Sequence, residues 1–238
     1  MEPKISVILP VYNESKYIDD IFNSVLDFSN ENPNYRFIFV NDGSVDETEK
    51  ILKKKIAICD CERINLLSYN PNKGKGYAVK KGVEYSDGDY VIFTDGDLAY
   101  SLNHLKLFVQ KLRFYDVVIG CRPIIRENIK KIKISRKIFG KSFNFLVKLM
   151  LNLNFTDTQA GIKGFRKEAA KNLFQKQKIN GFGFDVEIIT LANKMSYSIS
   201  ELPVIVSDSH KNMISNVSLI KDSVKMFFNI LKIKFQNH

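Results

Sequence analysis

The chain has 238 residues, of which 45% are hydrophobic, and a formal net charge of +10. This length and composition suit a globular α/β protein with a substantial core, and no apolar run reaches the roughly 18 residues that a membrane span requires. The positive charge favours an anionic partner, which could be a nucleic acid, a nucleotide, a phosphate or a lipid surface.

The first half of the chain alternates apolar runs with helical patterns. Five runs have the length of buried strands: residues 5–9, 36–40, 64–69, 90–94 and 116–120. Apolar residues at helical spacing separate them, beginning with Ile18, Ile21 and Val25. Ser44, followed by Glu47, predicts a capping box that opens the second helix, which ends near residue 57. Strands alternating with helices predict a mostly parallel sheet covered on both faces.

This alternation is not maintained beyond residue 120. A basic segment at 122–141 overlaps a predicted helix rich in Leu, Phe and Lys at about 136–153. A further helix is expected near 184–195 and a strand near 198–206, with no linker or internal repeat between them. We therefore expect the second half to be an elaboration packed on the first.

The tripeptide Asp-Gly-Asp occurs twice, at 87–89 and at 95–97. Ligands of open α/β sheets bind beyond the carboxyl ends of strands, so the first copy, at a strand entry, is predicted to be only a turn. The second copy leaves the same strand. In extended backbone Asp95 and Asp97 would point the same way about 6–7 Å apart, and Gly96 would allow a ligand to approach the backbone. Two hard oxygen ligands suit Mg²⁺ or Mn²⁺ shared with phosphate oxygens.

Polar residues also follow the first two predicted strands. Pro10, Tyr12 and Glu14 come after the first strand, and Asp42 comes after the second. Tyr12 can present its ring to a nucleobase, while Glu14 or Asp42 can accept hydrogen bonds from base N–H groups or ribose hydroxyls. Each residue alone is also compatible with a turn or with packing. Several polar clusters at one edge of one sheet indicate a ligand site.

The segments PVYNE, VNDGSVDET, NKGKGYAVKKG and FTDGDL, in this order and spacing, resemble the inverting glycosyltransferases of family 2. The segments DTQAGIKGFRKEAA and FGFDVEII resemble the branch that glucosylates dolichyl phosphate, with bacterial relatives that act on other polyprenyl phosphates. The resemblance implies an α/β GT-A fold and a Mg²⁺ or Mn²⁺ cofactor. It also implies inverting transfer of a hexosyl group, with glucose favoured, from a nucleotide diphosphate sugar to polyprenyl or dolichyl phosphate. UDP-glucose is the favoured donor.

The resemblance also implies roles for single residues. Asp95 and Asp97 would bind the metal, and catalysis would rest on Asp97, Asp157 and Arg136. The donor side would comprise Pro10, Tyr12, Glu14, Val40, Asp42, Lys75, Asp95, Gly96 and Arg122. The acceptor side would comprise Arg122, Arg136, Gln159, Asp185 and Glu187. The carboxylates of Asp157, Asp185 and Glu187 could equally order loops. Ala99 departs from many lipid-phosphate relatives, which place a metal-holding glutamine at this position.

We expect residues 1–238 to form a single glycosyltransferase domain, with a nucleotide-sugar half at about 1–122 and an acceptor half at about 123–210. Residues 212–236 are predicted to form an amphipathic helix that either packs in the core or lies in a membrane interface. The three cysteines lack a metal spacing and no signal peptide is evident. The expected location is therefore the cytoplasm, peripheral on the cytoplasmic face of a membrane.

Two other functions are compatible with parts of the sequence. A family 2 enzyme acting on a saccharide hydroxyl, in cell-surface polysaccharide synthesis, would need a general base effective near neutral pH. A non-catalytic basic protein that binds nucleic acid or membrane would leave the strand-exit carboxylates unexplained, because they repel phosphates unless a cation intervenes. We therefore expect no nucleic-acid partner.

Overall fold

The protein is represented by a computed structural model that describes residues 2–122, 151 and 153–207. The strands are β1 (Ile5–Val11), β2 (Tyr35–Asp42), β3 (Ile64–Tyr69), β4 (Tyr90–Phe93), β5 (Val117–Cys121), β6 (Lys163–Arg166) and β7 (Ile199–Pro203). The helices are α1 (Ile18–Glu31), α2 (Thr48–Cys59), α3 (Lys75–Tyr85), α4 (Asn103–Leu112), α5 (Lys167–Lys176) and α6 (Phe184–Lys194). Arg136, most of the predicted helix at 136–153 and the predicted helix at 212–236 lie outside the described residues.

The seven strands of the described residues belong to one sheet, in the order β3-β2-β1-β4-β6-β5-β7. The pairs β2–β3, β1–β2, β1–β4 and β5–β7 are parallel, whereas β6 runs antiparallel to both β4 and β5. The predicted mostly parallel sheet is confirmed. The second half differs from the expectation, because it contributes β6 and β7 to the sheet itself rather than only packing on it.

The sheet buries an apolar cluster on each face. Val7 and Leu9 of β1 face the cluster that includes α1 and α4, while Ile8 between them faces the cluster that includes α3, α5 and α6. This alternation follows from the two-residue period of a strand. α3 approaches β1 closely because Gly82 has no side chain: a Cβ there would lie 2.4 Å from Ile8 Cγ2.

The predicted capping box at the start of α2 is wrong. The helix begins at Thr48, four residues after Ser44, and no side chain caps its first turn from Glu47. Asp46 instead accepts the Thr48 N–H at 3.0 Å, and the Ser44 hydroxyl accepts the backbone N–H of Asn13 at 2.9 Å. The polar residues after β2 therefore tie two strand exits together as well as starting a helix.

The first Asp-Gly-Asp copy lies in the loop that enters β4, as predicted. Asp89 accepts the backbone N–H of Lys4 at 2.9 Å, and Gly88 N–H donates to Ser6 Oγ at 3.1 Å. These contacts join the loop to the start of β1. Among the described residues, no helix is long and apolar enough to cross a bilayer.

Candidate active site

Four strands that run in the same direction end with polar side chains at one edge of the sheet. Tyr12 follows β1, Asp42 ends β2, Asp95 follows β4 and Arg122 follows β5. The exits of β1 and β4 are in close contact, because a Cβ on Gly96 would lie 2.2 Å from the Pro10 carbonyl oxygen. The glycine thus makes room for the chain's own backbone, and its contact with a donor stays a prediction.

The second Asp-Gly-Asp copy forms a turn rather than the extended segment that we expected. The Leu98 N–H donates to the Asp95 carbonyl at 3.1 Å, and Leu98 has a φ of 52°. Asp97 Oδ1 accepts the Ala99 N–H at 3.0 Å, which is typical of an aspartate within a turn. The two aspartates are not extended as predicted because β4 ends at Phe93, before the first of them.

Lys75, at the start of α3, forms an ion pair with Asp95. Its Nζ lies 2.6 Å from Asp95 Oδ1, and the side chains are 16% and 31% exposed. Burial alone would lower the pKa of Lys75, but the charges of Asp95 and Asp185 raise it above its ordinary value. Gly161 packs against the same carboxylate, since a Cβ there would lie 1.8 Å from Asp95 Oδ2. Asp95 is therefore held between a cation and a backbone surface.

Arg122 forms a bidentate ion pair with Asp157. The Nε–Oδ2 distance is 2.6 Å and the Nη2–Oδ1 distance is 3.0 Å. Burial would raise the pKa of Asp157, but the hydrogen bonds and charge of Arg122 hold it below its ordinary value. Asp157 is nearly buried, whereas 48% of the Arg122 side chain is exposed. The carboxylate thus fixes the guanidinium of a side chain that is about half exposed.

Tyr100 is buried in the same charged neighbourhood. Burial raises the pKa of its hydroxyl to about 12, and the charges of Arg122, Asp95 and Asp157 all act on it. Tyr100 therefore lies within electrostatic reach of both sides of the site. Its hydroxyl stays protonated at neutral pH and can serve as a neutral hydrogen-bonding group there.

Glu14 lies near Asp97 and Asp46. Burial raises the pKa of Glu14 to about 7, and the negative charges of Asp97 and Asp46 add to the effect. The Glu14 backbone N–H donates to Thr48 Oγ1 at 2.8 Å, and Ser15 N–H donates to Asp46 Oδ2 at 3.0 Å. The loop after β1 is therefore tied to the start of α2, with three carboxylates close together.

Asp42 is almost fully buried and accepts four hydrogen bonds. Oδ1 accepts from the Tyr69 hydroxyl at 2.9 Å and from the Lys73 N–H at 2.8 Å. Oδ2 accepts from the Asn72 side-chain amide at 2.9 Å and from the Gly74 N–H at 2.9 Å. A carboxylate offers about four acceptor positions. In this structure Asp42 therefore organises the loop that leads to Lys75, and its predicted nucleoside contact stays a prediction.

Asp42→Asn is expected to lower the free energy of unfolding by about 2–3 kcal/mol, because one oxygen becomes an NH₂ group and leaves donors buried without an acceptor. Urea denaturation measures the change. Asp87→Asn is the matched control, because the Asp87 side chain is 57% exposed and its ion pair with Arg36, at 3.8 Å, lies at the surface. This substitution should change the free energy of unfolding by less than about 0.5 kcal/mol. Equal stabilities for the two variants would refute the loop-anchoring role.

The predicted acceptor residues that the structure describes have different partners. Glu187 is fully buried, and its oxygens accept the N–H groups of Lys178 at 3.0 Å and Ile179 at 2.8 Å. Asp185 is paired with Lys163. Gln159 is next to the Arg122 pair, because its backbone N–H donates to Asp157 Oδ1 at 3.0 Å. The acceptor roles of these residues stay predictions.

The strand exits offer carboxylates as the donor atoms for a metal ion. Within the described ranges, no group of three or more His, Cys, Asp or Glu side chains is arranged to hold a metal ion. Asp95 and Asp97 nevertheless provide two hard carboxylates at the strand exit. Mg²⁺ commonly uses one or two protein carboxylates and completes its shell with water and substrate phosphates. The donor set therefore fits an ion that is shared with a diphosphate.

Three structurally important residues were not identified from the sequence. Gly161 limits the position of Asp95, Tyr100 is buried within electrostatic reach of both charged pairs, and Lys163 is fully buried beside Asp185. A lone lysine in the apolar stretch AGIKGF was the one available signal for Lys163, since a buried lysine requires a partner. Gly161 and Tyr100 gave no such signal.

An α/β sheet with fixed carboxylates and cations at its carboxyl edge is typical of enzymes that bind phosphorylated ligands. Comparison with known proteins defines the class further. The model of the family described as Glycosyl transferase family 2 matches residues 6–174. The chain belongs to this family, and it is a glycosyltransferase, as the sequence predicted.

Two curated relatives are dolichyl-phosphate beta-glucosyltransferases. The relative from Dictyostelium discoideum is 30% identical over 244 residues, which cover 95% of this chain and 75% of the relative. The human relative is 27% identical over 218 residues, which cover 84% of this chain and 66% of the relative.

A solved structure shares the fold. Glucosyl-3-phosphoglycerate synthase from Mycobacterium tuberculosis, in complex with Mn²⁺, UDP and phosphoglyceric acid, superposes with a TM-score of 0.68 at 17% identity. The match covers 99% of this chain and 80% of that protein. The fold is therefore the GT-A fold that the sequence predicted.

Proposed function

We propose that this protein transfers glucose from UDP-glucose to a polyprenyl phosphate with inversion at the anomeric carbon. The observation that carries the proposal is that Asp95, held by Lys75, lies within electrostatic reach of the half-exposed Arg122, held by Asp157. A metal-binding carboxylate and a cation at one sheet edge suit a reaction between two phosphorylated substrates. The names of the curated relatives support the sugar and the lipid phosphate.

The donor half of the proposed site is built by the exits of β1, β2 and β4. Asp95 and Asp97 would hold Mg²⁺ or Mn²⁺, which would offset the charge of the departing diphosphate. Tyr12 is 43% exposed and can stack on the base. The complex of the structurally similar synthase with Mn²⁺ and UDP supports both the metal and the nucleoside.

The acceptor half would be served by Arg122. Guanidinium binds phosphate through paired hydrogen bonds, and 48% of the Arg122 side chain is exposed. A phosphate monoester has a second pKa of about 6 and is largely dianionic at neutral pH. It can attack without losing a proton, so Asp157 would position Arg122 rather than act as a base.

The membrane role belongs to the same proposal. A polyprenyl phosphate is presented at a bilayer surface, so the protein would act peripherally on the cytoplasmic face of a membrane. The predicted amphipathic helix at 212–236 would supply the membrane contact, with its lysines toward anionic headgroups.

Arg136 provides a test of the lipid-phosphate acceptor. Arg136→Lys and Arg136→Ala are expected to lower transfer to polyprenyl phosphate by about tenfold or more, because lysine cannot reproduce the paired hydrogen bonds of a guanidinium. UDP-glucose binding, measured by calorimetry, should be unchanged. Lipid transfer at the wild-type rate in both variants would remove Arg136 from the acceptor site.

The proposed donor and product are tested by incubating the protein with polyprenyl phosphate and a panel of labelled nucleotide sugars, followed by extraction of lipid. We expect label in the organic phase with UDP-glucose, dependence on Mg²⁺ or Mn²⁺, and loss of the product in excess chelator. If product forms only from another nucleotide sugar, that compound is the donor in place of UDP-glucose. No lipid product from any donor would contradict the proposal.

A further inference from the structure

A second buried ion pair lies beside the Lys75–Asp95 pair. Lys163 of β6 is fully buried, and its Nζ lies 2.5 Å from Asp185 Oδ1 and 2.8 Å from the Ala160 carbonyl oxygen. Burial lowers the pKa of Lys163, and the charge of Asp185 opposes that effect. Burying such a pair costs desolvation free energy, and apolar residues of similar volume can fill a core equally well. The Lys163–Asp185 pair has no role in the proposed reaction as described above.

The two ion pairs share one set of aromatic neighbours. Lys75 Nζ lies 6.0 Å from the centre of the Phe93 ring, and Lys163 Nζ lies 5.5 Å from the same centre. Lys75 Nζ is also 5.7 Å from the ring of Phe184, the residue next to Asp185. Burial lowers the pKa of Lys75, and the charges of Asp95 and Asp185 together raise it above its ordinary value. The charge of Asp185 thus acts on Lys75 as well as on Lys163.

We infer that Lys163 is a positioning residue that neutralises Asp185 and thereby leaves Lys75 bound to Asp95. Without Lys163, Asp185 would be a buried anion lacking its cation, which is strongly unfavourable. Lys75 has a flexible four-carbon stem and can move toward that charge. Asp95 would then lose the contact that fixes its carboxylate. The inference rests on the proposed function only in giving Asp95 a role in donor binding.

The same geometry gives Asp185 a role different from acceptor binding. Its side chain is 7% exposed, and its Oδ1 is engaged by an ammonium group that is itself completely buried. Asp185 would therefore influence the substrate indirectly, because its charge affects where Lys75 lies and Lys75 in turn holds Asp95. Removing Lys163 and Asp185 together would eliminate both the cation and the anion. No unpaired buried carboxylate would then attract Lys75, which would stay paired with Asp95.

The thermal test compares the effect of Lys75→Met in three backgrounds: wild type, Lys163→Met, and Lys163→Met with Asp185→Leu. We expect Lys75→Met to lower Tm by about 2–4 °C in the wild type and by roughly 10 °C in Lys163→Met, where Lys75 has become the partner of Asp185. In the double variant the loss should return to the wild-type value. If the Lys163–Asp185 pair is independent of Lys75, Lys75→Met should lower Tm by the same amount in all three backgrounds.

A second measurement follows transfer in the same proteins. Lys163→Met should lower transfer by about tenfold, and adding Asp185→Leu should restore it at least about fivefold, because Lys75 returns to Asp95. An unfolded Lys163→Met protein would overturn the inference, since Lys75 would then have failed to replace Lys163. Equal Tm losses in the three backgrounds, or no recovery of transfer in the double variant, would overturn it as well. If the wild type shows no transfer, the proposed function fails, and the Tm comparison still decides the inference.

Discussion

Asp97→Asn is expected to lower transfer by about 10²-fold or more, because the substitution removes a carboxylate charge from the proposed metal and diphosphate site. Asp97 lies in the turn after β4, where its Oδ1 accepts the Ala99 N–H at 3.0 Å. An asparagine oxygen can keep that hydrogen bond, so the turn should form and the protein should fold. The loss would therefore report the charge rather than the local structure.

Asp89→Asn is the matched control, since it changes the same residue type in the same tripeptide at the other end of β4. Asp89 accepts the Lys4 N–H at 2.9 Å, and an asparagine oxygen can do the same. Steady-state transfer by this variant should stay within about twofold of the wild type. If both variants lost activity equally while folded, the strand-exit assignment would be wrong.

Gly161→Ala is expected to have the second largest effect, although the residue carries no functional group. An added Cβ would lie 1.8 Å from Asp95 Oδ2 and 2.3 Å from its carboxyl carbon. The carboxylate or the backbone has to move, and a displacement of about 1 Å at a reacting centre can cost about 10²-fold in rate. We expect transfer to fall by at least about tenfold.

Gly181→Ala is the control for this second substitution. Gly181 lies in the loop before α6, and a Cβ there would meet no atom within 4 Å. Transfer by Gly181→Ala should match that of the wild type. Wild-type transfer by a folded Gly161→Ala protein would show that the contact between Gly161 and Asp95 does not limit the reaction.

The sequence predicted the fold well where apolar periodicity was strong. The run at 36–40 and the helical spacing from Ile18 predicted β2 and α1, because each buries a regular face in the core. β6 was missed because Lys163–Arg166 has the composition of a polar loop, KGFR. Its lysine is accommodated by Asp185, which is distant in sequence, so no local pattern could reveal the strand.

The location of the candidate site was also predictable, whereas its internal contacts were not. Strand-exit residues such as Asp95 and Arg122 follow from topology, since parallel strands end at one edge. The partners of these residues come from elsewhere in the chain, because Lys75 opens α3 and Asp157 precedes β6. Contacts of this kind depend on tertiary packing, which spacing in sequence does not encode.

The most direct test of the proposed acceptor compares three acceptors at equal concentration with labelled UDP-glucose: a polyprenyl phosphate, the corresponding polyprenol, and a soluble saccharide. The first two differ only in the phosphate, so their comparison isolates the group that Arg122 is proposed to bind. We expect product with the polyprenyl phosphate, in the inverted anomeric configuration, and essentially none with the other two. Preferential glucosylation of the saccharide would contradict the lipid-phosphate acceptor and favour the hydroxyl-acceptor alternative.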